Sequence, residues 1–104
     1  MAILVLEQTF DRPMTADDLG DAAKRLDRCL QAHGARWMRS YLSKDRMRMI
    51  CEFEAGDAEQ IRESARNAGI PFDRCWPADC FSRDQQIERW GSEWTGCYRR
   101  RCSV

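Results

Sequence analysis

The sequence predicts an α+β fold in which two helices cover one face of a four-stranded antiparallel sheet. The apolar residues Met47, Met49, Cys51 and Phe53 occupy every second position of residues 47–54, which is the period of a strand with one buried face. Two helices are predicted to begin at the capping residues Thr15 and Asp57, and apolar residues recur at helical spacing after Thr15. The resulting order is strand, helix, strand, strand, helix, strand, which is the ferredoxin-like or split βαβ plan.

The first strand and helix have local signals at both ends. Residues 2–9 are rich in aliphatic side chains, and the turn at 11–13 ends in a proline, which cannot donate to a sheet ladder. A helix is predicted to begin at Thr15, where Asp18 completes a capping box, and to end at Gly34. Its apolar stripe is Leu19, Ala22, Ala23, Leu26, Cys29 and Leu30.

The next two strands are predicted at residues 36–43 and 46–54, joined by a tight turn at Lys44 and Asp45. This turn sets the expected pairing, which is Leu42 with Met47, Ser40 with Met49, and Met38 with Cys51. The face opposite the core then carries Trp37, Arg39, Tyr41, Arg48, Ile50 and Glu52.

The second helix is predicted at residues 58–68, capped by Asp57 and ended by Gly69 and Pro71. The fourth strand is predicted at residues 72–76, with Pro77 as its stop. We therefore assign residues 1–80 to a ferredoxin-like domain and residues 81–104 to a C-terminal extension. The extension has the signal of a short helix with the apolar residues Ile87, Trp90 and Trp94.

Composition limits the class of function. The 104 residues suit a single domain, and 17 basic residues balance 17 acidic ones, so no net charge steers the chain towards nucleic acid or anionic lipid. The start MAILVLEQTF lacks the basic leader and long apolar segment of a secretory signal, and no apolar stretch is long enough to cross a bilayer. We expect a cytoplasmic protein whose thiols are reduced.

Residues 36–79, RWMRSYLSKDRMRMICEFEAGDAEQIRESARNAGIPFDRCWPAD, resemble a bacterial family of small uncharacterised proteins. The family is catalogued as domain of unknown function 4242 and is often labelled nickel-binding or nickel-responsive. The segment TFDRPMTADDLGDAAKRLDRCLQAHG is also similar, so the resemblance covers roughly residues 2–80. It implies a ferredoxin-like fold and a homodimer paired through the sheets.

Metal-binding members of that family carry several histidines, some of them around the second helix and the following loop. The matching stretch here, SARNAGIPFDR, contains none, and His33 is the only histidine of the chain. We interpret His33 as a helix-terminal residue, where a cation meets the helix dipole favourably. If this protein binds a metal, its cysteines or carboxylates must supply most of the ligands.

Four cysteines form two matching pairs, Cys75 with Cys80 and Cys97 with Cys102, within the loose spacing range of tetrahedral zinc or other transition-metal sites. A continuous strand would hold the first pair about 16 Å apart, and a helix would separate the second pair by about 140° around its axis, so both pairs need turns. Three interpretations stay open: independent thiols, a four-thiolate metal site, and disulfides. The expected compartment favours independent thiols.

The aromatic and arginine side chains of the exposed sheet face are the second candidate site. Arginine can hold an anion, and aromatic rings can stack on a planar ligand. The predicted ligand-binding residues are Trp37, Arg39, Tyr41, Arg48, Glu52 and Trp76, with Glu7 beside them and Glu52 or Glu7 as weak candidates for a general base.

Three functions are therefore open. The first is a homodimeric binding protein for a small ligand or metal ion. The second is a cofactor-free enzyme of the dimeric α/β-barrel kind, of the oxygenase, isomerase or cyclase type, acting on an anionic or aromatic small molecule. The third is a protein-interaction module that uses the C-terminal tail. No phosphate loop, HExxH motif, nucleophile elbow or dinucleotide fingerprint is present.

Overall fold

The computed structural model describes residues 1–83 and confirms the predicted order of elements. In chain order the elements are β1 (Ala2–Thr9), α1 (Ala16–Ala32), β2 (Arg36–Leu42), β3 (Arg48–Ala55), α2 (Ala58–Asn67) and β4 (Arg74–Ala78). The strands form one antiparallel sheet in the order β2-β3-β1-β4, which is the ferredoxin-like arrangement. The expected boundary between a domain and an extension near residue 80 stays a prediction. Neither helix within residues 1–83 has the length and apolar character needed to span a membrane.

Both helices pack on one face of the sheet. Leu4 and Leu6 of β1 and Phe53 of β3 point to that face and are completely buried. The helices contribute Leu30 of α1 and Ile61 of α2, which are also completely buried, to the same core cluster. Because side chains alternate along a strand, the residues between these core positions point to the opposite face.

The helix termini follow the predicted local signals. Thr15 accepts a hydrogen bond from the backbone N–H of Asp18, and the carboxylate of Asp18 accepts one from the backbone N–H of Thr15, so the capping box is complete. Asp57 caps α2 by accepting from the backbone N–H of Gln60. Gly34 and Gly69, with φ of 67° and 72°, follow the two helices in the left-handed conformation that glycine adopts readily.

The predicted pairing of β2 with β3 is wrong by two residues. Leu42 pairs with Met49 and Ser40 with Cys51, because the connection is longer than the two-residue turn that we expected. The backbone N–H of Ser43 donates to the carbonyl of Arg48 over 2.9 Å, and residues 44–47 form the loop. Arg46 has φ of 65° in this loop. A shift of two residues leaves each side chain on its predicted face, since the period of a strand is two.

Trp37 does not lie on the face that we predicted. The register of β2 against β3 slips between Trp37 and Arg39, so that Trp37 pairs with Phe53 whereas Arg39 pairs with Glu52. Such a β-bulge adds one residue to one strand and reverses the alternation of side chains beyond it. Trp37 therefore lies on the helix side of the sheet, although it remains half-exposed at the edge.

The last strand begins and ends two residues later than predicted. Pro77 is inside β4 and pairs with Leu4 instead of ending the strand. The assignment of Pro77 as a stop was wrong because β4 is an edge strand, where a residue without an N–H group leaves no neighbouring carbonyl unpaired.

Candidate functional site

The face of the sheet opposite the two described helices is the candidate site, and we call it the open face. Its side chains form rows across the four strands. The central row runs from Trp76 through Val5 and Glu52 to Arg39. The rows on either side are Ala78, Ile3, Glu54 and Arg36, and Arg74, Glu7, Ile50 and Tyr41.

Two ion pairs and one side-chain hydrogen bond connect residues near the centre of the open face. The Nε of Arg39 lies 3.2 Å from an oxygen of Glu52, and the two side chains expose only 19% and 26% of their surface. Glu7 accepts a hydrogen bond of 2.7 Å from the indole N–H of Trp76, and the Nε of Arg74 lies 3.5 Å from the same oxygen. These contacts hold the Trp76 ring and the Arg39 guanidinium in place on the sheet.

Large apolar side chains on the open face are nevertheless exposed to solvent. Trp76, Tyr41 and Ile50 expose 41%, 50% and 45% of their surface, respectively. A concavity of about 340 Å³ lies between Tyr41, Trp76 and the segment that follows β4. It is lined by Ile3, Val5, Arg39, Tyr41, Glu52, Trp76, Ala78, Asp79, Cys80, Phe81 and Ser82.

The structure brings together four of the six residues predicted to bind a ligand: Arg39, Tyr41, Glu52 and Trp76 line the concavity. Glu7 contacts Trp76 but belongs to the neighbouring row. Arg48 pairs with Thr9 at the far end of the open face and does not line the concavity. Trp37 lies on the other face because of the bulge.

The wall formed by residues 78–82 was missed at the level of sequence. It was missed because Pro77 was taken as the end of β4, so that the following residues were assigned to the extension. Ile3 and Val5 could have indicated this wall. They are two residues apart in β1, so both lie on the open face, and they pair with residues near the end of β4.

The first cysteine pair does not converge. Cys75 lies on the helix side of β4 and is buried, with its Sγ 3.9 Å from the carbonyl oxygen of Ala58. Burial raises the pKa of the Cys75 thiol, and the nearby charge of Arg62 lowers it only in part. Cys80 lines the concavity of the open face and is disulfide-bonded, so it is not an independent thiol. Cys97 and Cys102 lie outside the described residues, so the four-cysteine site stays a prediction.

A second cavity, which we call the α1 cavity, lies between α1 and the sheet and has a volume of about 300 Å³. Its lining is mainly apolar and includes Leu19, Ala22, Ala23 and Leu26 of α1 together with Leu42 and Met49 of the sheet. The cavity opens to solvent at its rim, where Asp27 and Trp37 are exposed.

A line of hydrogen bonds crosses the sheet-side wall of the α1 cavity. The indole N–H of Trp37 donates to Ser40 Oγ over 2.9 Å, and Ser40 Oγ donates to Cys51 Sγ over 2.9 Å. Cys51 Sγ lies 3.8 Å from Gln8 Oε1, and Gln8 Nε2 donates to the carbonyl of Pro71 over 3.0 Å. Burial raises the pKa of the Cys51 thiol, which Ser40 lowers only in part, so the thiol stays protonated and acts as a donor.

The comparisons with known proteins identify the family. The model of a family described as nickel responsive protein SCO4226-like matches residues 5–77. This chain belongs to the nickel-responsive SCO4226-like family. The crystal structure of SCO4226 from Streptomyces coelicolor A3(2) superposes with a TM-score of 0.71 at 15% sequence identity, covering 78% of this chain and 100% of that one. At this identity the likeness confirms the fold alone. No curated protein matches the sequence.

A nickel site needs several nitrogen, oxygen or thiolate ligands close together. Within residues 1–83 no three or more histidine, cysteine, aspartate or glutamate side chains come together in a way that could hold a metal ion. His33 is the C-cap of α1, in the helix-terminal position that we expected. The described part of this SCO4226-like chain therefore does not fit a histidine-based nickel site.

Proposed function

We propose that this SCO4226-like protein is a homodimeric binding protein whose open faces pack against each other and enclose a site for a small planar ligand. The observation that carries the proposal is the exposure of Trp76, Tyr41 and Ile50 on a sheet face that neither described helix covers. Tryptophan, tyrosine and arginine are the residues enriched at the centre of protein interfaces.

The concavity supports a ligand at that interface. When two open faces meet, a depression of about 340 Å³ in each remains as enclosed space. Its lining pairs one cation, Arg39, with two carboxylates, Glu52 and Asp79, so the local charge favours a neutral ligand over an anion. Tyr41 and Trp76 offer ring faces for stacking, and the Arg39–Glu52 pair offers both donors and acceptors.

A catalytic role receives no support from the same contacts. The carboxylates considered as general bases are already engaged, Glu52 by Arg39 and Glu7 by Trp76 and Arg74. A base must be free to accept a proton from a bound substrate. We therefore propose binding rather than proton transfer at the open face.

The first experiment determines the oligomeric state and the ligand class together. Sedimentation equilibrium of the full chain should give a dimer mass at micromolar concentration. Benzamide, which is planar and neutral, should then shift the NMR resonances of Tyr41 and Trp76 more strongly than benzoate, which has the same shape and a negative charge. A monomer at all concentrations would overturn the proposed dimer, and a stronger response to benzoate would overturn the ligand class.

The family description favours metal binding as a second candidate function. Because Cys75 is buried beneath α2 and Cys80 is disulfide-bonded, we propose that any metal is held through Cys80, Cys97 and Cys102 after the disulfide of Cys80 has been reduced. Protein purified without a tag under reducing, anaerobic conditions should then contain about one metal ion per chain, zinc being the expected one for thiolate ligands. The metal content should fall in Cys80→Ser and stay unchanged in Cys75→Ala. Protein without metal would refute this candidate.

A further inference from the structure

The α1 cavity lies on the side of the sheet opposite the proposed dimer interface. Its space arises from the sequence of α1, which places Ala22 and Ala23 against the sheet between the larger Leu19 and Leu26. Alanine at these positions leaves a gap that a leucine or methionine would fill. At about 300 Å³ the gap lies at the lower end of the range of ligand pockets.

The polar wall of the α1 cavity determines which hydrogen-bonding group a ligand needs. Along the line from Trp37 to Pro71 the indole N–H, the Ser40 hydroxyl, the Cys51 thiol and one Gln8 amide hydrogen each have an acceptor. Ser40 Oγ uses one lone pair for Trp37 and retains a second, because a hydroxyl oxygen has two. A ligand that reaches this wall is therefore matched if it carries a hydrogen-bond donor.

The charge of the lining excludes one class of ligand. Among the described residues that line the α1 cavity, Asp27 at the rim is the only charged side chain, and there is no arginine or lysine. An anion would enter an apolar space without a counter-ion and close to a carboxylate. A neutral ligand meets neither cost.

We propose that the α1 cavity binds a small, uncharged, mainly aromatic or aliphatic molecule whose single hydrogen-bond donor donates to Ser40 Oγ. The apolar body contacts Ala22, Ala23 and Met49, and the ring of Trp37 closes the rim. Phenol has this character, and it is the probe for the test. Anisole has a similar shape without the donor, and benzoate adds the charge.

The test is a titration of the isotope-labelled full chain, followed by NMR at the Trp37 indole N–H and the Met49 methyl group. Phenol should shift both signals to saturation, and benzoate should leave them in place. In Ser40→Ala the preference for phenol over anisole should fall about 2- to 12-fold, the value of one hydrogen bond to a neutral group. An unchanged preference would overturn the role of Ser40.

Two alanine variants test the position of the site. Ala23→Phe places a ring in the α1 cavity and should abolish saturable binding of phenol. Ala32→Phe is the matched control, because Ala32 is exposed at the end of the same helix and does not line the cavity. Equal binding by both variants, or no saturable shift in the native chain, would overturn the proposal. If Ala23→Phe alone changed the sedimentation mass, a second copy of the chain would be the occupant of the cavity, which would also overturn the proposal.

Discussion

Replacing Trp76 by alanine is expected to weaken dimerisation strongly, whereas the same change at Trp37 should leave it intact. The two rings are exposed to a similar extent, 41% for Trp76 and 50% for Trp37, but they lie on opposite faces of the sheet. A general loss of apolar surface would affect both variants alike. A specific interface on the open face would affect only one.

The magnitude follows from the exposed area. A tryptophan of about 250 Å² that exposes 41% of its surface offers about 100 Å² for burial, or about 2.5 kcal/mol at 25 cal/mol per Å². A two-fold interface contains each residue twice, which gives about 5 kcal/mol per dimer. Area converts incompletely into affinity, so we expect about half of this, which is about a 60-fold rise in the dissociation constant.

Sedimentation equilibrium over a wide concentration range measures this constant for the native chain and both variants. Trp76→Phe is a further control, since it keeps most of the apolar area while it removes the hydrogen bond to Glu7. Circular dichroism confirms that each variant is folded. Equal dissociation constants for Trp76→Ala and Trp37→Ala, or a larger effect at Trp37, would refute the assignment of the interface to the open face.

Three further predictions concern stability and thiol chemistry. Burial raises the thiol pKa values of Cys51 and Cys75 above the unfolded-state value of 9.0, so the unfolded chain loses these protons first as pH rises. The free energy of unfolding should therefore fall above pH 9, and it should fall less in the variant with alanine at both positions. Thr15→Ala should cost about 1 kcal/mol by urea denaturation. Because bonds to Thr15 lower the pKa of Asp18 below 3.8, this variant should also lose less stability than the native chain as pH falls through that range; an equal loss would contradict the capping box. Peptide mapping after brief alkylation should find the half-buried Cys29 modified before Cys51 and Cys75, and the reverse order would contradict the burial of those two thiols.

The sequence predicted only part of the candidate site. Arg39, Tyr41 and Glu52 were placed on one face from their alternation alone, and that placement is confirmed. Trp37 belongs to the same alternation in the sequence, yet the bulge moves it to the other side. The wall at 78–82 and the α1 cavity depend on where distant segments meet, which the pattern of one segment by itself does not determine.

Local interactions were enough to determine the elements and their order. The capping box at Thr15, the cap at Asp57 and the left-handed residues Gly34 and Gly69 act within a few residues, so their sequence signals correspond directly to helix ends. Only the tertiary structure decided the register of β2 on β3, the bulge at Trp37 and the passage of β4 through Pro77. These features depend on the partner strand. A hairpin can lengthen its loop by two residues without moving any side chain to the other face, so the sequence pattern fits both registers. A proline is tolerated in a strand only where no neighbouring strand needs its missing N–H group, and this depends on the position of the strand in the sheet.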